Sequence, residues 1–174
     1  MRWAMGAIAA MCLCGTASAM TLTSADFKDG AALPVEHIYP RCGGQNVSPE
    51  LSWSGAPAGT TMFVLTMIDV SVKPNGWSHW IVVNLPETAK SLPHGTTSLP
   101  APAVAVASNF GDKAYAGPCP PPGTGTHRYE FAVWAIPNNT MVTIQPDMPA
   151  TYVIKMLSSV AIDHATIAAT VTAK

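Results

Sequence analysis

The stretch from Ala114 to Thr126 constrains this chain most, because prolines and glycines dominate it and a strand pattern follows at once. Three consecutive prolines, Pro120 to Pro122, hold φ near about −65° and lack backbone donors, whereas the nearby glycines let the chain bend. From residue 128 to residue 136 the sequence alternates with the period of a half-buried strand. The two faces are Tyr129, Phe131, Val133 and Ala135 on one side, and Arg128, Glu130, Ala132 and Trp134 on the other. His127 therefore stands at a loop-to-strand junction, where a rigid scaffold often holds binding side chains.

The first nineteen residues have the three parts of a secretory signal peptide. Arg2 supplies the positive start, Met5 to Leu13 form a short apolar run, and Ala17-Ser18-Ala19 is a small-residue cleavage site. Cleavage would leave residues 20–174 as a single domain in the periplasm or outside the cell. Because no later run reaches the roughly 20 apolar residues of a membrane helix, we expect no integral membrane segment after cleavage.

Two cysteines, Cys42 and Cys119, remain after cleavage. In an oxidising compartment such a distant pair favours a disulfide, which would stabilise the fold by roughly 3 to 5 kcal/mol. The alternative is a reactive thiol at Cys119, beside the proline loop. Neither C-x-x-C nor H-x-x-x-H occurs in the sequence, so we expect no metal site and no cofactor.

The composition indicates a mainly β domain without a nucleic-acid surface. Only 11% of the residues are charged and no basic tract is present, which argues against a nucleic-acid partner. The 16 prolines and 13 glycines fit many turns. The patterns predict strands at 20–23, 51–53, 61–69, 77–84, 103–107, 128–136 and 165–172, a loop over 87–102, and one helix at 149–160 that begins with Pro149.

Three polar residues need an explanation beyond the scaffold. Asp69 ends one predicted strand, His79 lies in the next, and His127 begins a third. If they converge, the carboxylate can orient an imidazole whose other nitrogen donates to an anion. Alternatively, His79, which has tryptophans at positions 77 and 80, is a satisfied core histidine. The remaining histidines, His37, His94 and His164, have the sequence surroundings of ordinary surface or turn residues.

Three motifs, in order, resemble the phosphatidylethanolamine-binding protein family. They are Cys42 to Trp53, Gly76 to Pro86, and Gly117 to Gly123 together with His127-Arg128-Tyr129. The similarity extends over nearly all of residues 21–173 and is to the bacterial Raf-kinase-inhibitor-like branch in particular. It implies an antiparallel β-sandwich with a C-terminal helix and a small pocket at one edge that holds phosphate, a phospholipid headgroup or acetate.

The resemblance also implies a set of ligand-binding residues. Carried over by position, they are Asp69, His79, Gly117, Pro120, Pro121, His127 and Tyr129. The family's Asp-Pro-Asp-x-Pro motif is altered here, because Ser71 replaces the second aspartate in the run from Asp69 to Pro74. Lys73 in that turn can strengthen anion binding or can simply be solvated.

Three classes of function compete. The first is an exported protein that binds a small anionic or phosphoryl ligand through imidazole N–H groups, the Tyr129 hydroxyl and loop amides near Gly117. Binding should then be tighter below pH 7, because a doubly protonated imidazole donates two hydrogen bonds. The second is an inhibitor or interaction module that uses loops 87–102 and 109–125 on an unknown protein partner, such as a protease or kinase. The third is an enzyme. We favour the first and expect no catalysis, since the sequence has no nucleophile elbow, no His-Glu-x-x-His motif and no second carboxylate placed as a partner for Asp69.

Overall fold

The structure is a computed structural model that describes residues 19–137, 143–144 and 148–173. Except for Ala19, the predicted signal peptide lies outside the described residues. Within the described part of the chain, no helix is long and apolar enough to cross a membrane.

Two antiparallel sheets and one C-terminal α-helix form the described fold, as the sequence predicts. One sheet has the strand order β1-β2-β5 and the other β6-β4-β3-β7-β8. The strands are β1 Thr21–Thr23, β2 Leu51–Ser54, β3 Thr60–Asp69, β4 Trp77–Pro86, β5 Ser91–Leu92, β6 Val104–Val106, β7 Thr126–Pro137 and β8 Asp163–Thr172. The helix α1 spans Ala150–Val160, and two 3-10 turns span Val35–His37 and Pro40–Cys42.

The central strand β3 lies between β4 and β7 and is buried from Met62 to Asp69, because its two faces lie in two different hydrophobic cores. Its apolar, β-branched centre predicts this position, since a strand covered on both faces does not need alternating polar residues. Placing Asp69 at its end is therefore unusual, because a carboxylate is seldom this deeply buried without a partner.

Strand β7 is not half-buried, as its alternation predicts, but buried on both faces from Phe131 to Ile136. The face that carries Phe131 lies in the core between the two sheets. The other face packs against Val153 and Leu157 of α1 in a second core, which also includes Trp134. The helix covers what would otherwise be the solvent side of this sheet, and only the first residues of β7 keep an exposed face.

The limits of the predicted strands and helix differ from the observed ones by at most two residues, and two differences from the prediction have a clear cause. Strand β5 lies inside the predicted loop because Leu92, paired with Leu51 of β2, is buried. Helix α1 begins after Pro149, which caps it with extended backbone rather than occupying its first turn. Its buried residues are Ala150, Val153 and Leu157, while Tyr152 is exposed.

A disulfide joins Cys42 and Cys119 across 77 residues of sequence, which confirms the predicted pairing. It connects the 3-10 turn Pro40–Cys42 to the proline loop. Next to it, the Tyr39 N–H donates to the Pro118 carbonyl at 3.0 Å. The proline loop is thus fixed to a second segment just before it reaches β7.

Candidate functional site

A cavity of about 290 Å³ opens where β3 ends and where β4 and β7 begin. The antiparallel register places Asp69 directly beside Trp77 of β4 and Tyr129 of β7. The proline loop closes the third side. The lining residues are Asp69, Val72, Trp77, His79, Phe110, Cys119, Pro120, Pro121, His127 and Tyr129. The structure therefore brings together every sequence-predicted ligand residue except Gly117.

Asp69 and His127 form a buried pair in this cavity. His127 Nδ1 donates to Asp69 Oδ2 at 2.6 Å, and the other carboxylate oxygen accepts the Ser71 N–H at 2.9 Å. Both oxygens of the aspartate are thus hydrogen-bonded, which satisfies the requirement for a buried carboxylate.

The second nitrogen of His127 contacts the proline loop. Thr124 Oγ1 donates its single proton to the Pro121 carbonyl at 2.6 Å, so it accepts from His127 Nε2 at 2.9 Å. The Nε2–H bond to an exposed threonine is the one that a ligand oxygen can replace.

His79 has a different electrostatic character. Its Nδ1–H donates to the Ala116 carbonyl at 2.7 Å. Burial lowers the pKa of His79 to about 4, outweighing the opposite effects of the Ala116 carbonyl and the Asp69 charge. The ring is therefore neutral near pH 7, and Nε2 carries a lone pair that accepts a hydrogen bond. His79 does not offer the free N–H that we expected, and of the two histidines that Asp69 could orient, the carboxylate bonds His127.

Tyr129 lies between the two imidazoles. Its ring meets His79 edge-on at 5.1 Å and stacks with His127 at 6.4 Å between centroids. Burial, followed by the nearby Asp69 charge, raises the pKa of the Tyr129 hydroxyl. The phenol therefore stays protonated and serves as a neutral wall of the cavity.

Gly117 lies behind the cavity, where it permits close packing. A Cβ at this position would lie 2.3 Å from the His37 carbonyl oxygen, so only glycine fits. Its N–H donates to Asn46 Oδ1 at 2.7 Å and therefore does not point to a ligand. The expected ligand contact from the Gly117 amide is therefore replaced by a contact that shapes the loop.

Ser71, which stands in place of an aspartate in the family motif, has a structural role. Its Oγ accepts the Arg128 N–H at 2.9 Å, and its own N–H binds Asp69. The turn after β3 is thereby fixed to β7. The altered motif removes a negative charge from the rim and keeps the position of Asp69.

Sequence reasoning missed three apolar lining residues, Val72, Trp77 and Phe110. Phe110 is half exposed, and its ring lies 5.0 Å from His79 and 5.6 Å from Trp77. An exposed phenylalanine within the polar run 108–112 is the signal that could have identified it. Trp77 and Phe110 make one side of the cavity mouth apolar.

Comparison with known proteins identifies the family and its fold. A family model described as phosphatidylethanolamine-binding protein matches residues 23–173. The chain belongs to the phosphatidylethanolamine-binding protein family. Among relatives, YbcL of Escherichia coli K12 is 41% identical over 128 residues, which are 69% of this chain and 70% of YbcL. YbhB of the same organism is 42% identical over 124 residues, 67% of this chain and 78% of YbhB.

Solved structures of family members share the fold. The crystal structure of Escherichia coli YbcL superimposes with a TM-score of 0.81 at 34% identity, covering 90% of this chain and all of YbcL. A phosphatidylethanolamine-binding protein homologue from Chlamydia trachomatis gives a TM-score of 0.71 at 29% identity, covering 88% of this chain and 97% of the homologue. The β-sandwich described above is therefore the fold of this family.

Proposed function

We propose that this protein is exported and binds a small anionic group, inorganic phosphate or the phosphoryl group of a lipid headgroup, in the cavity beside Asp69. The observation that carries the proposal is the pairing of one donating and one accepting imidazole across a single small cavity. The family name, which describes binding of a phospholipid, supports a phosphoryl ligand.

The two histidines suit opposite sides of a protonated phosphoryl group. His127 Nε2–H, now bonded to Thr124, can donate to a ligand oxygen. The neutral His79 ring accepts a proton-bearing group, such as a P–OH or the ammonium of ethanolamine. A fully deprotonated oxyanion such as sulfate supplies no donor to His79 and should bind less well.

Charge in the cavity supports modest affinity. The Asp69 carboxylate is already hydrogen-bonded to His127 at 2.6 Å, and the His79 ring and the Tyr129 phenol are neutral. Recognition therefore depends on the direction of hydrogen bonds more than on net attraction. The apolar mouth formed by Trp77 and Phe110 suits the ester side of a headgroup.

The cavity favours binding over covalent catalysis. Cys119, the lining residue that we considered as a reactive thiol, is held in the disulfide with Cys42. A disulfide sulfur is not a thiolate nucleophile. We therefore propose that the ligand is held and released unchanged.

Titration calorimetry with inorganic phosphate, phosphoethanolamine and ethanolamine tests the proposal. His127→Ala should weaken phosphate binding by roughly ten- to a hundredfold, because it removes a charge-assisted hydrogen bond of roughly 1.5 to 3 kcal/mol. The matched control is His164→Ala, an exposed histidine at the far end of β8 that pairs with Trp134. The affinity of His164→Ala for phosphate should equal that of the wild type.

The ligand series separates the two sources of the phosphoryl group. A clear preference for phosphoethanolamine over phosphate indicates a lipid headgroup, and equal affinity indicates the phosphoryl group alone. Equal phosphate binding by His127→Ala and the wild type, or binding of ethanolamine alone, would refute the site. In that case an interaction module for a protein partner becomes the better interpretation.

A further inference from the structure

A second cluster of polar side chains lies apart from the anion cavity. Asp26, His37 and His94 each offer one ligand atom, and these atoms lie within 4.8 Å of one another. They come from three separate segments, which are the connection after β1, the 3-10 turn Val35–His37 and the connection after β5. Neither the sequence spacing nor the proposed phosphate site accounts for this convergence.

His37 is the unusual member of the cluster. It is completely buried, although its sequence surroundings predict a surface or turn residue. Its Nδ1–H donates to the Val47 carbonyl at 2.8 Å, so in the neutral ring Nε2 carries the lone pair. Among the described residues, this buried Nε2 has no hydrogen-bond partner, which is costly for a polar atom inside a protein.

Two carboxylates face this unpartnered nitrogen at a distance too long for hydrogen bonds. Asp26 Oδ2 and Glu36 Oε1 each lie 3.9 Å from His37 Nε2. Ligand atoms placed about 2.0 to 2.2 Å from a tetrahedral ion are separated by roughly 3.3 to 3.6 Å. The observed 3.9 Å is therefore slightly longer than the distance between two ligand atoms of one ion. Small movements of exposed side chains would shorten it to that distance.

The supporting contacts resemble those around metal-binding side chains. A histidine ligand commonly donates its other N–H to a carbonyl or carboxylate, as His37 does to Val47. Asp26 is held in place because its Oδ2 accepts the Glu50 N–H at 2.6 Å. The Glu50 carboxylate in turn accepts the Ala25 N–H at 2.7 Å. The aspartate and the buried histidine are thus oriented before any ion binds.

His94 and Glu36 form the open side of the cluster. Their side chains are 45% and 41% exposed, so an ion can enter from solvent. His94 Nδ1 lies 3.0 Å from Asp26 Oδ2, and His94 Nε2 lies 3.8 Å from Glu36 Oε2. Both ring nitrogens of His94 therefore already face the carboxylates of the cluster.

We propose that Asp26, His37 and His94 bind a divalent transition-metal ion such as zinc, with Glu36 or water as a further ligand. Two imidazoles and a carboxylate suit zinc and its neighbours, whereas magnesium and calcium prefer oxygen ligands throughout. The ion would join two connections, the one from β1 to β2, which carries Asp26 and His37, and the one from β5 to β6, which carries His94. The His37 carbonyl accepts the Tyr115 hydroxyl at 2.8 Å. A bound ion would therefore also stiffen the segment that leads into the proline loop.

Zinc titration of the purified, chelator-treated protein tests this site. We expect one zinc ion to bind per chain and to raise the melting temperature, because an ion that binds only the folded state stabilises it. Magnesium should have no such effect. His94→Ala removes an exposed ligand and should weaken zinc binding by about tenfold or more, and Asp26→Asn should do the same. His164→Ala, which removes an exposed histidine elsewhere, should leave zinc binding unchanged.

Zinc binding does not depend on phosphate binding, so the metal site and the phosphoryl site can each be refuted separately. Absence of saturable zinc binding would overturn the metal site. Equal zinc affinity in His94→Ala, His164→Ala and the wild type would also overturn it, since binding would then come from scattered surface groups. Circular dichroism of His94→Ala confirms that any loss of zinc binding occurs in a folded chain.

Discussion

Asp69 and His127 are 58 residues apart in sequence, yet His127 Nδ1 donates to Asp69 Oδ2 at 2.6 Å inside the cavity. The antiparallel pairing of β3 with β7 creates this contact, because Asp69 ends one strand where the other begins. Both side chains are nearly inaccessible to solvent. Each group therefore depends on the other for its hydrogen-bonding partner.

Removing one member of this pair should cost more stability than removing both. Asp69→Ala leaves the buried His127 ring without its carboxylate partner and should destabilise the fold by about 3 kcal/mol or more. The double variant Asp69→Ala/His127→Ala removes both partners, so its loss of unfolding free energy should be clearly smaller than the sum of the losses in the two single variants. Urea unfolding of the four proteins measures the coupling free energy. Additive effects would show that the pair is not energetically linked.

The free energy of unfolding should fall in weak acid because of His79. Its folded pKa of about 4 lies below the ordinary value of 6.5, so below pH 6.5 the unfolded chain takes up a proton that the folded chain does not. Stability is therefore present above pH 6.5 and is lost as the pH falls toward 4. The expected loss between pH 7.5 and pH 5 is about 2 kcal/mol.

His79→Gln provides the control for this effect, because glutamine does not titrate. Urea unfolding at the two pH values should show a smaller loss for His79→Gln than for the wild type, by about the same 2 kcal/mol. If both proteins lose the same stability, the ring of His79 is protonated in the folded state and the proposed acceptor role is wrong.

Much of this site could be predicted from the sequence, because its residues occur in short motifs. Asp69, His79 and His127 stand at strand ends, where period-two patterns and turns fix the register. Directions of hydrogen bonds could not be predicted, since the Ala116 carbonyl and the Thr124 hydroxyl take their places only in the folded chain. The covered outer face of β7 was missed because it depends on where α1 packs.

The burial of His37 could not be predicted from the sequence either. Its local sequence is that of a turn, and its burial results from contacts with distant segments, such as the Tyr115 hydroxyl bonded to its carbonyl. Spacing motifs find metal ligands only when they are near each other in sequence. A cluster of Asp26, His37 and His94 appears only after the connections have been folded together.

Gly117 should be intolerant of even one methyl group. In Gly117→Ala the new Cβ would lie 2.3 Å from the His37 carbonyl oxygen and 2.7 Å from the Tyr39 nitrogen. Since both are backbone atoms, the chain must shift, and we expect a destabilisation of at least roughly 2 kcal/mol.

The matched control is Gly123→Ala in the same loop. Gly123 has φ +81°, but a Cβ at this position would meet no atom within 4 Å, so the substitution costs about 1 kcal/mol of backbone strain. Thermal unfolding of the two variants should rank Gly117→Ala as clearly less stable. Equal melting temperatures would show that the contact with His37 is readily relaxed.

Phosphoryl binding should tighten as the pH falls from 8 to 6, and the ligand's own proton should be the cause. A phosphate monoester has a second pKa near 6, so its protonated form rises from about 1% to about 50% over this range. If neutral His79 accepts that proton, the affinity for phosphoethanolamine should increase by up to roughly 50-fold.

Sulfate, which carries no proton at either pH, should bind weakly and without this gain. His79→Gln should remove the pH dependence, because an amide can either donate or accept. Titration calorimetry at both pH values decides the matter: an equal gain for sulfate would mean that protonation of an imidazole, not of the ligand, controls binding.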